Sequence, residues 1–318
     1  MMPAKRVLMA TLALMLIGAI AAPSQTAAQN SNTSATHLFW SRYDQGTIAR
    51  ARLDGSEQNL TLITEVVAGG FSVLGDYIYW NSATGTAKST LSGETVSATF
   101  MAVGGNNLLA TDQYIYWSQG TKIGRANIDG TGQNADFITG IAGSDDIASD
   151  GTYLYWSEYT NSAIGRCKLD GSEVNHTFID SAMNSGGLTV TASHIYWTNY
   201  DTGSIGRANI DGTNKVQDFI VTGASTNPYG IVSDGTYLYW VEDAQDVIGR
   251  ANLDGSNIQL GFISNANVDA GWGLALGVIE DVPSTNRDGS VWTTTLVILA
   301  GLTAAASIAL QVRGAKRA

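Results

Sequence analysis

The chain has 318 residues and a formal net charge of −11. This charge argues against a general affinity for nucleic acid or an anionic lipid surface, which a basic protein would have. The single cysteine, Cys167, excludes an intrachain disulfide, and an apolar share of 44% is enough to build a large core without one.

Residues 1–28 are predicted to be a secretory signal peptide. Lys5 and Arg6 precede an apolar run over residues 7–22, and small residues follow at 26–28. The run is short for a membrane span, so we expect cleavage and export. Residues 29–36 are polar and are predicted to be a loose N-terminal segment.

A repeat of about 40 residues fills positions 37–279. Each copy contains a tryptophan at the end of an aromatic segment, and successive tryptophans are 37 to 43 residues apart. This period is typical of propeller blades. Six tryptophans are therefore predicted to pack between blades as core residues: Trp40, Trp80, Trp117, Trp156, Trp197 and Trp240.

Each repeat divides into four short segments with the β-branched and aromatic content of strands. We name them segments A to D: A is Gly-rich, B is aromatic, C follows B, and D is short and apolar. In the fourth repeat they are residues 146–150, 153–156, 164–169 and 178–179. The pair Asp170-Gly171 ends segment C and predicts a tight hairpin turn into segment D.

The two ends of the repeat array are complementary. The first repeat starts at its B segment, residues 37–40, whereas residues 270–277 resemble an A segment with no B segment after it. We expect residues 273–277 to supply the missing strand of the first blade. The predicted fold is all-β: a six-bladed β-propeller of four-stranded blades, closed by a C-terminal strand.

The C-terminal part of the chain has a different composition. Residues 280–292 are polar and are predicted to be a linker. Residues 293–312 carry no charge and match a transmembrane helix in length, and the basic tail at 313–318 would stay in the cytoplasm. The propeller would then lie on the extracellular or periplasmic side. A buried C-terminal helix and a sorting segment that is removed after attachment are the alternatives.

The strings Tyr-Trp-Ser/Thr and Ile-Gly-Arg-Ala-Asn-Ile-Asp-Gly-Thr resemble the YWTD repeat of low-density-lipoprotein-receptor-type β-propellers. The resemblance implies the six-bladed fold and structural arginines in segment C that pair with carboxylates between blades. These cations are Arg50, Lys88, Arg125, Arg166, Arg207 and Arg250. The chain departs from the family at the fourth motif position, which is never Asp, and it lacks the disulfide-bonded modules that flank receptor propellers. A receptor function is therefore implied less strongly than the fold.

Aromatic and acidic side chains lie in the D-to-A and B-to-C loops, which a propeller places on one face. Aromatic residues often anchor interfaces, so this face is predicted to bind a protein or a glycan. The candidates are Tyr43, Tyr159, Tyr200, Tyr229, Trp272, Glu158, Asp201 and Asp243. The alternative is a solvated acidic face without a partner.

Carboxylates and amides at the channel mouth could bind calcium through oxygen ligands. The candidates are Asn107, Asp146, Asn227 and Asp269. No other cofactor is expected and no catalytic residue is assigned, because the sequence has no His-Glu-x-x-His, paired cysteines or Gly-rich phosphate loop.

Three functions are compatible with this sequence. The first is an exported, membrane-anchored, non-enzymatic binding protein whose propeller recognises a protein or glycan. The second is a metal-dependent hydrolase or lyase of the lactonase-like propeller class. The third is a structural protein of the cell surface.

Overall fold

The structure, a computed structural model, describes residues 35–66, 70–82, 84–182, 185–268 and 273–279. These residues form β-strands joined by tight turns, with one 3-10 helix at Asp243–Gln245. The predicted signal peptide, linker, membrane segment and basic tail lie outside them. Within the described residues, no helix is long and apolar enough to cross a membrane.

The strands follow the predicted order of segments, because aromatic and β-branched runs alternate with turns that contain Gly, Asp and Ser. Repeats one and two contain β1 (His37–Arg42), β2 (Thr47–Arg52), β3 (Asn59–Thr64), β4 (Phe71–Leu74), β5 (Tyr77–Ser82), β6 (Gly85–Thr90) and β7 (Thr95–Met101). Repeats three and four contain β8 (Leu108–Ala110), β9 (Tyr114–Ser118), β10 (Gly120–Asn127), β11 (Asn134–Ser149), β12 (Tyr153–Glu158), β13 (Ala163–Lys168) and β14 (Asn175–Ile179). Repeats five and six contain β15 (Ser185–Val190), β16 (His194–Asn199), β17 (Ser204–Asn209), β18 (Val216–Val221), β19 (Pro228–Ser233), β20 (Tyr237–Glu242), β21 (Val247–Asn252) and β22 (Gln259–Ile263), and β23 (Leu274–Gly277) follows.

Four of the sheets have four antiparallel strands each. Their orders are β23-β1-β2-β3, β4-β5-β6-β7, β15-β16-β17-β18 and β19-β20-β21-β22. In the first of these sheets β23 pairs with β1, with Leu274 opposite Trp40. The C-terminal strand of the repeat array therefore lies beside segment B of the first repeat, where we expected it.

The third and fourth repeats differ from the prediction, since they share one seven-stranded sheet. Strand β11 has 16 residues and serves as segment D of the third repeat and segment A of the fourth. Gly140 and Gly143 have φ angles of +80° and +78°. Glycine tolerates this left-handed conformation, so the chain turns from one partner strand to the next while it stays hydrogen-bonded.

The core consists of buried clusters that each lie between consecutive repeats, and one of them joins the sixth repeat to the first. On β1, Leu38 and Trp40 pack against the sixth repeat, whereas Phe39 packs against the second. Both faces of a segment B strand are thus covered, which explains its continuous apolar sequence. The six repeat tryptophans are at most 4% exposed.

The segment C cations do not make the carboxylate pairs that the resemblance implied. The Arg125 guanidinium lies between two rings, 4.4 Å from the centroid of Tyr114 and 4.1 Å from that of Phe137. Its Nη1 donates to the carbonyl oxygen of Leu169 in the next repeat at 2.8 Å. Arg166 and Arg250 stack between a tyrosine and a phenylalanine in the same way. Ring faces and a backbone oxygen therefore hold these cations.

Candidate functional site

The segment A strands surround a narrow channel. They contact one another in the cyclic order β23, β4, β8, β11, β15, β19 and back to β23. The channel has room for about 40 Å³ of water-sized molecules. Each strand contributes an apolar residue to the lining, although most of these side chains are buried in the cores between repeats: Val73, Leu108, Ile147, Leu188, Ile231 and Leu274. Among the described lining residues Asp146 is the only one with an ionisable side chain, and most of the surface that faces the channel is polar.

Asp146 lies where segment A begins. Its backbone N–H donates to Ser157 Oγ at 3.0 Å, and the N–H of Asn107 donates to Ser118 Oγ at the same distance. The repeated contact identifies the two positions as equivalent. The other repeats have glycine there: Gly70, Gly187, Gly230 and Gly273.

The Asp146 carboxyl group is held by three N–H donors. Its Oδ1 accepts from Asn107 Nδ2 at 2.5 Å and from the backbone of Ile147 at 2.8 Å. Its Oδ2 accepts from the backbone of Leu188 at 2.7 Å, so the bonds link repeats three, four and five. Burial outweighs these donors and raises the pKa of Asp146 to about 7.

Three of the four metal candidates are described, and they do not converge on one calcium site. Asn107 turns its amide N–H toward Asp146, and its oxygen accepts from the backbone of Leu108 at 2.6 Å. Asn227 contacts Tyr200 instead. The described residues contain no group of three or more His, Cys, Asp or Glu that could hold a metal ion. Asp269 lies outside them.

Tyr229 crosses the fifth repeat to reach the fourth. Its hydroxyl donates to Asp145 Oδ2 at 3.1 Å, although the two residues are 84 positions apart. The ring passes over Gly186, where an added Cβ would lie 3.1 Å from it, and Gly187 packs against the Tyr229 backbone. The Gly-Gly pair at the start of β15 therefore makes room for this contact. Burial raises the pKa of Asp145 above its ordinary value, although the Tyr229 hydrogen bond opposes that shift.

Tyr200, in the fifth repeat, packs on Tyr229 and bonds to two further residues of the sixth repeat. The two rings pack edge to face, with centroids 5.7 Å apart. The Tyr200 hydroxyl accepts from Asn227 Nδ2 at 3.1 Å and donates to Asp243 Oδ2 at 3.4 Å. Burial, followed by the nearby Asp243 charge, raises the pKa of Tyr200. We call the connected set the mouth cluster: Asn107, Asp145, Asp146, Tyr200, Asn227, Tyr229 and Asp243.

Three further surface candidates lie in B-to-C loops and are exposed. Tyr43 and Tyr159 are both 44% exposed, and Asp201 is also exposed and lies next to Tyr200. The Tyr159 ring covers Gly143, two positions before Asp145 of the mouth cluster. Trp272 lies outside the described residues.

Glu158 requires a correction, because we predicted it at the binding face and it is 0% exposed. Its Oε1 accepts from Trp156 Nε1 at 2.8 Å and contacts His176 Nδ1 at 2.7 Å. Its Oε2 accepts from the backbone of Ala142 at 3.1 Å. Glu158 therefore holds the core tryptophan in place and does not face a partner.

Both the repeat sequence and the fold resemble known proteins. Residues 193–234 match the family described as low-density lipoprotein receptor repeat class B. A chain in a crystal structure of a nidogen/laminin complex is 18% identical with a TM-score of 0.63, and the match covers 76% of this chain and 97% of that one. No curated protein matches the sequence.

Two enzymes are structural neighbours at greater distance. Hydrazine synthase of Kuenenia stuttgartiensis is 12% identical with a TM-score of 0.54, over 75% of this chain and 81% of that one. A streptogramin B lyase is 16% identical with a TM-score of 0.50, over 74% and 84%. At these identities the neighbours show the fold alone, an all-β propeller. The repeat match and the nidogen-complex neighbour together support a YWTD-type propeller, which confirms the resemblance seen in segments B and C.

Proposed function

We propose that this chain is an exported, non-enzymatic binding protein: a six-bladed YWTD-type propeller that presents the mouth cluster to a protein partner. The main support for this proposal is the composition and the position of the mouth cluster. Tyrosine rings and carboxylates from three consecutive repeats meet there at the open end of a channel, and aromatic side chains in such places anchor interfaces.

Two features support a closed ring of six blades. β23 pairs with β1, and the A strands contact one another in a complete cycle. The sixth repeat also packs directly on the first, since Phe262 covers the turn at Gly55. Phe178 and Phe219 cover Gly212 and Gly255 in the same manner between other repeats.

Protein binding is supported by exposure and by the nidogen-complex neighbour. Tyr43 and Tyr159 are partly exposed in B-to-C loops, and the Tyr159 ring covers Gly143. That neighbour comes from a complex of nidogen with laminin, so a related fold is found there together with a protein partner. A glycan is the alternative ligand, which binding of the full-length chain to a glycan array would test. Export and membrane anchoring rest on residues 1–28 and 293–312 of the sequence.

A hydrolase or lyase is the second candidate, because Asp146 combines a pKa of about 7 with a place in the channel lining. A carboxyl group with this pKa is suited to acid–base catalysis at neutral pH. Turnover of lactone or ester substrates that is lost in Asp146→Asn would favour this candidate over the binding protein. A structural role at the cell surface would leave both assays without a signal.

The test of protein binding is a selection of displayed polypeptides on the full-length chain, followed by affinity measurements with variants. Tyr200→Ala and Tyr159→Ala should weaken the selected binders by tenfold or more, since each removes a ring at the binding face. Tyr77→Ala is the matched control: Tyr77 is 36% exposed, but it starts a B strand and so lies at the opposite end of its sheet. Equal affinity for all three variants would contradict the proposed face.

A further inference from the structure

Two segment D strands begin with the acceptor sequence for N-linked glycosylation, Asn-x-Ser/Thr with any residue except Pro in the middle. The first pair is Asn59 with Thr61, and the second is Asn175 with Thr177. Asn59 is the first residue of β3 and Asn175 is the first residue of β14, so the two sequences occupy the same place in repeats one and four. A third such sequence, at Asn32, lies outside the described residues.

The turn before segment D accounts for the asparagine but not for the threonine. Asn175 Oδ1 accepts from the backbone N–H of Thr177 at 3.0 Å, and Asn59 makes the same bond in the first repeat. In the third repeat Asn134 Oδ1 accepts from the backbone of Asp136 at 3.1 Å. This local side-chain-to-backbone bond therefore requires an asparagine and a backbone N–H two positions later, but no hydroxyl group.

The atoms that a glycosyl-transferring enzyme must reach are accessible. Asn175, Thr61 and Thr177 are exposed, and Asn59 is half-buried. Within the described part of the chain, nothing accepts a hydrogen bond from Nδ2 of either asparagine, and neither threonine hydroxyl has a hydrogen-bond partner. The acceptor nitrogen and the hydroxyl that identifies the acceptor sequence are thus both left unused by the fold.

The position of these sites is compatible with partner binding at the mouth cluster. β3 and β14 each pair with a neighbour on one side only, so they are edge strands of their sheets. Their first residues follow the C-to-D turn, whereas the mouth cluster lies at the opposite end of the repeats. An oligosaccharide at this place would leave the binding face open, and its bulk would hinder pairing of the free strand edge with another chain.

We propose that Asn59 and Asn175 are N-glycosylation sites, an inference that rests on the proposed export of the chain because this modification belongs to secreted proteins. The co-reactant is an oligosaccharide whose C1 carbon is linked to a lipid pyrophosphate. The asparagine Nδ2 atom forms a bond to C1 while the bond from C1 to the pyrophosphate oxygen breaks. The lipid pyrophosphate leaves, and Nδ2 gives up one proton to a base of the oligosaccharide-transferring enzyme.

The test is glycopeptide mass spectrometry of the full-length chain purified from the cells that produce it. Peptides that contain Asn59 or Asn175 should carry an oligosaccharide, whereas the Asn134 peptide, which has the same turn without the hydroxyl, should carry none. Thr177→Val keeps the branched shape and the backbone N–H but removes the hydroxyl, so it should lower occupancy at Asn175 at least tenfold. Thr177→Ser keeps a hydroxyl and should retain the modification. Occupancy at Asn59 is the internal control and should not change in either variant.

The possible failures can be told apart by cell fractionation and by the site-resolved masses. An exported chain in which either asparagine is unmodified would overturn the assignment of that site and leave the proposed binding function intact. Equal occupancy in Thr177→Val, or an oligosaccharide on Asn134, would also overturn the inference, because attachment would not follow the acceptor sequence. A chain retained inside the cell with residues 1–28 would overturn the proposed export, and this inference with it. Failure of the binding face is separate, since the displayed polypeptides would then bind independently of Tyr200 and Tyr159.

Discussion

The contact between segments B and C yields the sharpest stability prediction. In four repeats the tryptophan of segment B lies flat on a glycine of segment C. A Cβ added at Gly165 would lie 2.2 Å from Trp156 Cε2 and 2.4 Å from its Nε1. Real Cβ atoms do not approach so closely, so Gly165→Ala must push the indole away. Overpacking of a core costs about 1–3 kcal/mol. The displaced indole would also strain its hydrogen bond to Glu158 Oε1, which contributes roughly 1.5–3 kcal/mol when the acceptor is charged.

We therefore expect Gly165→Ala to lower the free energy of unfolding by about 2.5–6 kcal/mol, the sum of the two effects. The matched control is Gly261→Ala in strand β22, where an added Cβ meets nothing within 4 Å. Because alanine also restricts the unfolded chain, this control should be neutral or stabilising by about 0.4–1 kcal/mol. Urea unfolding followed by tryptophan fluorescence measures both. If Gly165→Ala were as stable as Gly261→Ala, the flat Trp-on-Gly packing would be refuted.

Two further predictions concern pH and the end of the repeat array. Burial raises the folded-state pKa of Asp146 from 3.8 to about 7, so ionisation costs more in the folded protein. The contribution of Asp146 to the free energy of unfolding is largest below pH 4, falls by at most about 1.4 kcal/mol per pH unit up to pH 7, and is constant above pH 7. Urea unfolding at several pH values should show no such fall for Asp146→Asn. An equal pH dependence in both proteins would contradict the raised pKa. Deleting residues 273–277 removes the strand beside β1 and should lower the melting temperature and expose Trp40 to fluorescence quenchers. An unchanged melting temperature would show that the ring does not depend on this strand.

Much of the fold could be predicted because each repeat contains local sequence signals for strands and turns. The aromatic B segments, the Asp-Gly turns and the complementary ends of the array each specify a strand, a hairpin or a pairing. The fusion of two segments into β11 was not predictable in this way. It depends on how far β10 extends, since Gly120 pairs with Ser144, and on glycines that bend a strand without ending it.

The burial of Glu158 could have been predicted from the two-residue alternation of side chains along a β-strand. Trp156 and Glu158 are two residues apart on β12, so their side chains lie on the same face of the sheet. A buried tryptophan therefore predicts a buried neighbour at this position, and Glu242 follows Trp240 with the same result at 0% exposure. A B segment ending in Trp-x-Glu indicates an internal indole–carboxylate bond, and not the start of an exposed loop.

The contact of Tyr229 with Asp145 could not be read from any single repeat. It joins the sixth repeat to the fourth and depends on the absence of side chains in the fifth, where Gly186 and Gly187 begin β15. Each residue looks ordinary in its own segment, and only the ring arrangement brings them together. The residues that follow the common repeat pattern build the channel. Two departures from that pattern give the channel mouth its polar groups. Asp146 stands where most repeats have glycine, and Tyr229 lies two positions before the A-segment residue Ile231. Function in this chain is therefore expected where the repeat is broken, and for that reason the binding experiment includes Tyr200 of the mouth cluster and none of the recurring tryptophans.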